Sequence, residues 1–139
     1  MLRNQTRRER QLSVTGYWEW VLGDLRAKNL MHIITEVDAR TGALFARNTY
    51  NTDFGERIVF AIASDVARSC TGDRLEFMGR HGSPARPAAL GRTRLSGRVG
   101  AGLDPCGALQ VPVTLAPGEE REIIFKVGTG RNRDHAHQL

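Results

Sequence analysis

The chain has 139 residues, 40% hydrophobic and 25% charged, with a formal net charge of +5. That length makes one domain with a core of its own and excludes a multidomain arrangement. No apolar run approaches the roughly 20 residues that cross a bilayer, and the basic start from Met1 to Arg10 lacks the apolar stretch of an export signal, so a cytoplasmic protein is expected.

In chain order the first strand signal is Leu12 to Leu22, which contains Val14, Tyr17, Trp18, Trp20 and Val21. Met31 to Val37 is β-branched, Asp38-Ala-Arg-Thr-Gly42 is turn chemistry, and Ala43 to Asn48 reads as the partner strand of a hairpin. Arg57 to Ala63 alternates Ile58, Phe60 and Ile62. Thr71 to Met78 suits a short helical turn capped by Thr71 or Asp73, and Arg86 to Arg94 is irregular or holds one turn around Ala88-Ala-Leu90. Leu109 to Leu115 puts Leu109, Val111, Val113 and Leu115 on one face. Pro112 cannot donate to a ladder, so that strand lies at an edge or has its N–H side unpaired there. Pro117 and Gly118 are placed for a type II turn, after which Glu122 to Val127 is expected to return as a second hairpin. The sum is an all-β fold, an antiparallel β-sandwich with short helical turns. Arg131 to Leu139 reads as a helix cut off after its first turns, which suggests a fragment or a partner-dependent chain.

The segment from Ser96 to Ala108 stands apart. Gly97, Gly100 and Gly102 fall close together, and Asp104-Pro105 then stops any regular element. Glycine in that density serves a backbone at φ > 0 or one that approaches another chain or a ligand. A dinucleotide loop is a poor reading, because the spacing is reversed from GxGxxG and no helix follows to receive a pyrophosphate.

Other chemistry is sparse. The positive charge is almost wholly arginine, since Lys28 and Lys126 are the only lysines, and only Arg7, Arg8 and Arg10 cluster. A basic nucleic-acid-binding module is therefore the weakest of the readings, with no aromatic or zinc-finger pattern beside the charge. Cys70 and Cys106 have neither metal nor redox spacing and read as reduced thiols. His32 sits in a strand-like run, and His135 and His137 would point in different directions on a helix, so no metal and no cofactor is expected. Asp53 with Glu56, and Asp73 with Glu76, are the only spaced carboxylate pairs of interest, and neither makes a convincing acid–base pair. Trp18 and Trp20 share a strand face, where core packing is the commoner fate. Phe77-Met-Gly-Arg-His-Gly-Ser83 suits a loop that presents Arg80 and His81, or a plain connector.

Several segments carry a family likeness. They include Leu12-Ser-Val-Thr-Gly-Tyr-Trp-Glu-Trp-Val-Leu-Gly23, Ala43-Leu-Phe-Ala-Arg-Asn48 and Asn51-Thr-Asp-Phe-Gly-Glu-Arg57. Thr71-Gly-Asp-Arg-Leu-Glu-Phe-Met-Gly-Arg80, Leu95-Ser-Gly-Arg-Val-Gly-Ala-Gly-Leu-Asp-Pro-Cys106 and Leu115-Ala-Pro-Gly-Glu119 follow in the same order. Through these the chain resembles the glycoside hydrolase family ninety-four enzymes (formerly glycosyltransferase family thirty-six), in particular the phosphorylase-like region of cyclic β-1,2-glucan synthases. The resemblance implies the C-terminal part of a galactose-mutarotase-like β-super-sandwich over residues 1–128. Residues 129–139 would begin a helical linker to an (α/α)6 catalytic barrel that has no counterpart in this sequence. It further implies a non-catalytic, carbohydrate-associated piece of a β-glucan-processing enzyme, which as a whole is inner-membrane associated, or one half of a split phosphorylase. The partners it implies are β-glucan, the barrel and a homodimer mate. The contact candidates lie within Arg74 to His81 and Gly97 to Pro105, namely Arg74, Arg80, His81, Arg98 and Asp104.

Overall fold

Period-two hydrophobicity becomes nine strands in the computed structural model, which describes residues 1–139. In order they are β1 (Leu2–Arg3), β2 (Arg10–Glu19), β3 (Ile33–Val37), β4 (Leu44–Asn48), β5 (Ile58–Ala63), β6 (Ser69–Asp73), β7 (Pro105–Leu115), β8 (Glu120–Arg121) and β9 (Phe125–Gly130). Short helices interrupt them: α1 (Arg26–Asn29), α2 (Arg74–Met78) and α3 (Arg133–Gln138), with 3-10 turns at Leu30–His32 and Ala88–Gly91. The strands form antiparallel sheets in the orders β2-β7-β6 and β3-β4-β5-β9, plus the small pair β1-β8. No helix is long and apolar enough to cross a membrane.

The two large sheets face each other. Ile33, Leu44, Ala46, Ala61 and Ala63 from one meet Leu109, Val111, Val113 and Leu115 from the other, with Trp20 at the margin. Each fully buried aliphatic side chain contributes about 1.5–3 kcal/mol, so this layer dominates the stability. The outer faces are covered as well. Phe77 and Met78 of α2, with Ala89 and Leu95, lie on Cys106 and Ala108 of β7. On the opposite side Ala136 of α3 packs with Phe45, Ile58 and Phe60. β7 is therefore buried on both faces from Pro105 to Val111, which explains why its polar Gln110 is only 1% exposed.

The expected sandwich and the Met31–Asn48 hairpin are present, the latter closed by Asp38, whose carboxylate accepts from Thr41 N–H (3.0 Å) and Thr41 Oγ1 (2.8 Å). The second hairpin is not. The turn itself forms, with Glu119 N–H donating to Ala116 O at 3.1 Å and Gly118 at φ 77°. Beyond it, however, Glu120–Arg121 pairs with Leu2–Arg3, and β9 crosses to the other sheet, where Phe125 lies opposite Ala63. One flank of β7 is already occupied by β2 from Glu19 to Arg10, and the Asn4 amide takes the carbonyls of Leu115 (2.9 Å) and Ala116 (3.1 Å). By crossing, Ile123 and Phe125 reach the apolar layer between the sheets.

Smaller differences have equally local causes. β7 is central rather than at an edge, yet β6 stops at Gln110, so Pro112 has no β6 partner and the ladder loses nothing there. Thr71 lies in β6, and Asp73 alone caps α2, accepting from Leu75 N–H at 3.0 Å. His32 sits in a 3-10 turn instead of a strand, stacked on Tyr50 at 4.1 Å.

Candidate carbohydrate and interface site

The glycine-rich segment is a lace between the sheets. Gly97, Gly100 and Gly102 take φ of 77°, 139° and 73°, and a Cβ at any of them would meet open space, so backbone conformation alone demands glycine. Gly97 N–H donates to Cys70 O (2.8 Å) and Gly72 N–H to Arg98 O (2.7 Å), both on the β6 side. Thr35 N–H of β3 donates to Gly100 O (3.1 Å), and Gly100 N–H returns to Thr35 Oγ1 (3.1 Å). Glu76 of α2 ties down the start of the segment. Its carboxylate accepts from Thr71 Oγ1 (2.6 Å), Ser96 Oγ (2.6 Å), Ser96 N–H (2.9 Å) and Arg92 Nη1 (2.7 Å). Burial alone would raise the Glu76 carboxyl, but the Ser96 and Thr71 hydrogen bonds and the Arg92 charge outweigh it and hold the group below its usual range.

At the end of that lace Asp104 closes a four-charge cluster. Arg26 Nη2 lies 2.5 Å from Asp104 Oδ1 and Arg74 Nη1 lies 3.7 Å from Asp104 Oδ2. Arg74 Nε donates to Glu19 Oε1 at 2.7 Å, and Arg26 Nη1 approaches Glu19 Oε2 at 3.6 Å. Tyr17 OH also donates to Glu19 at 2.7 Å, and its ring stacks on Phe77 at 4.2 Å. The Arg74 and Tyr17 hydrogen bonds hold the Glu19 carboxyl low, while burial and the bond to Glu19 push the Tyr17 hydroxyl up. The cluster is half exposed, so it serves geometry more than stability.

Of the five residues expected to make contacts, then, Arg74 and Asp104 meet. Arg98 sits apart, 3.3 Å from the Asp73 carboxylate that caps α2. Arg80 and His81 are exposed in the loop after α2, beside a hollow of about 620 Å³ with Arg86 and Leu90, and no hydrogen bond or ion pair joins them to the cluster. Glu19 and Arg26, which complete it, escaped the sequence reading. The signal for Glu19 was available: in Trp18-Glu19-Trp20 the alternation turns the carboxylate away from the tryptophan face, on the side of Tyr17.

The chemistry this face offers is ionic and hydrogen-bonding. Glu19 and Glu76 are held ionised, and Asp73 is spent on a cap and an ion pair, so the Asp73–Glu76 pair is structural. A general acid needs the opposite shift.

Comparison with known proteins gives the lineage. The chain is 34% identical over 139 residues to the cyclic β-(1,2)-glucan synthase NdvB of Rhizobium meliloti, covering 99% of this chain and 5% of that protein. It is 26% identical over 135 residues to the N,N'-diacetylchitobiose phosphorylase of Vibrio proteolyticus, covering 94% of this chain and 17% of that protein. The chain thus spans a small part of the length of either relative. The family model described as glycosyl hydrolase 94, supersandwich domain, matches residues 1–139, and together with the sandwich geometry it means that the chain belongs to that supersandwich family.

Proposed function

We propose that the chain acts as a non-catalytic, carbohydrate-associated β-sandwich of a β-glucan-processing phosphorylase or glucan synthase. In this reading the face built by α2 and the glycine lace docks on an (α/α)6 barrel, with residues 129–139 leading toward it. The observation that carries it is the Glu19–Arg26–Arg74–Asp104 cluster: a half-exposed, internally matched set of charges on rigid elements, with its perturbed carboxylate ionised. Such a face suits orientation of a partner surface better than proton transfer. The two relatives, a glucan synthase and a chitobiose phosphorylase, supply the carbohydrate context. Seven arginines (Arg3, Arg26, Arg74, Arg92, Arg98, Arg121 and Arg133) are engaged by carboxylates, which weighs against a nucleic-acid role.

The test is to mix the purified chain with a separately produced family barrel and follow size by light scattering and phosphorolysis by sugar-phosphate release. Co-elution is expected, weakened at least tenfold by Arg74→Glu, which sets a carboxylate against Glu19 and Asp104. Activity of the mixture would favour the split-enzyme form of the reading. Separate elution, or phosphorolysis by the chain alone, would defeat it.

A further inference from the structure

We infer a second site, a saccharide-binding cleft at the end of the four-stranded sheet, between the segment after β2 and the loop joining β4 to β5. The cleft measures about 530 Å³, within the range typical of small-ligand sites. Its ligand class rests on the carbohydrate reading above, and its location rests on its own lining.

One wall is preorganised. Asn48 Nδ2 donates to Leu22 O (3.0 Å) and Asn29 Oδ1 (3.1 Å), while Asn29 Nδ2 donates to Asp24 Oδ1 (2.9 Å). Leu22 itself has φ 45°, the one non-glycine residue in the left-handed region. A strained leucine held by buried amides at the lip of a hollow is the pattern of a site rather than of a connector. The other wall is the β4–β5 loop. Asn51 Oδ1 accepts from Asp53 N–H (3.0 Å) and Phe54 N–H (3.2 Å), which fixes the loop and leaves the Asn51 amide nitrogen free. Phe54 is 53% exposed, and the Arg57 guanidinium lies over one face of its ring, its carbon 4.9 Å from the centroid.

The Asp53 carboxylate and the Arg57 guanidinium make no hydrogen bond or ion pair within the protein, so acceptor, amide donor and cationic donor face the cleft beside an aromatic ring and the apolar Leu22 and Val59. That mixture fits a neutral pyranose, which offers an apolar C–H face for stacking and hydroxyls that donate and accept. A phosphate or polyanion would meet the unpaired Asp53 carboxylate beside the single arginine, with Asp24 already matched by Lys28 at 3.0 Å, and a purely apolar ligand would leave the polar groups unpaired.

The experiment is an amide NMR titration of the full chain with sophorose and with N,N'-diacetylchitobiose, on wild type, Phe54→Ala and Asp53→Asn. Expected are shifts centred on residues 22–24 and 48–57, with affinity about tenfold weaker in each variant and melting unchanged. If Phe54→Ala disturbs folding, Asp53→Asn, which keeps size and shape, decides. Binding with shifts elsewhere and undiminished affinity in the variants overturns the cleft while leaving the carbohydrate reading intact. Absence of binding to either sugar also overturns it, and the barrel-docking experiment then judges the broader reading separately.

Discussion

The two thiols differ by environment alone. Cys106 is fully buried between α2 and the sheet, and burial, then the charges of Asp73, Asp104 and Glu19, push its thiol up to about 12. Cys70 is partly exposed at the edge of β6, raised by burial but reachable. Iodoacetamide should therefore label Cys70 well before Cys106, as mass spectrometry of the native protein would show; equal rates would contradict the packing of α2 over β7. Asp38 makes the opposite case. Burial would raise its carboxyl, but the two Thr41 hydrogen bonds and the His137 ring beside it outweigh burial and bring it to about 2. Arg133 Nη1 and His137 Nε2 both lie 3.1 Å from its Oδ1. Because the folded value lies below the unfolded one of about 3.9, its stabilisation is complete above about pH 4 and is lost as the pH falls toward about 2. Asp38→Asn should cost about 2–3 kcal/mol at neutral pH, and its melting curve should converge on that of wild type in acid. A constant gap across that window would remove Asp38 from the account.

Elements obey their sequences wherever one face decides the outcome. β5 and β7 are legible from period two, because alternation fixes which side chains turn inward, while β2, β3 and β4 are legible from aromatic and β-branched content and from the turn at Asp38–Gly42; Asp73, one of two cap candidates, caps α2. Alternation does not fix the neighbour. β9 presents the expected Phe125 inward but pairs with β5 instead of β7, a choice made by Asn4 and β2, which lie more than a hundred residues away. The candidate site divides in the same way. Arg74 and Asp104 converge, whereas Arg80, His81 and Arg98 sit elsewhere, since loop spacing carries no information on convergence. The lace offers the clearest test at this scale. Gly100→Ala meets no steric obstacle but cannot hold φ 139° without strain, so it should destabilise the protein by about 1–2 kcal/mol and speed hydrogen exchange at the Thr35 and Gly72 amides. Unchanged exchange there would mean the lace does not tie the sheets.

Across the whole molecule, both outer faces of the sandwich are roofed by short helices, and β2 stands at a sheet edge behind the exposed Arg7, Arg8 and Arg10, whose charge discourages edge-to-edge pairing. The pairing of Arg10 with Leu115 has a further meaning for how the chain leaves the ribosome. The β3–β4–β5 meander is local in sequence and can assemble as it emerges, but its inner face then waits for Leu109 to Leu115 to cover it. Until β7 is released, β2 has no partner strand either, so while residues 20–104 are being made this stretch of nascent chain carries a bare apolar sheet and an unpaired ten-residue strand, both open to wrong pairing.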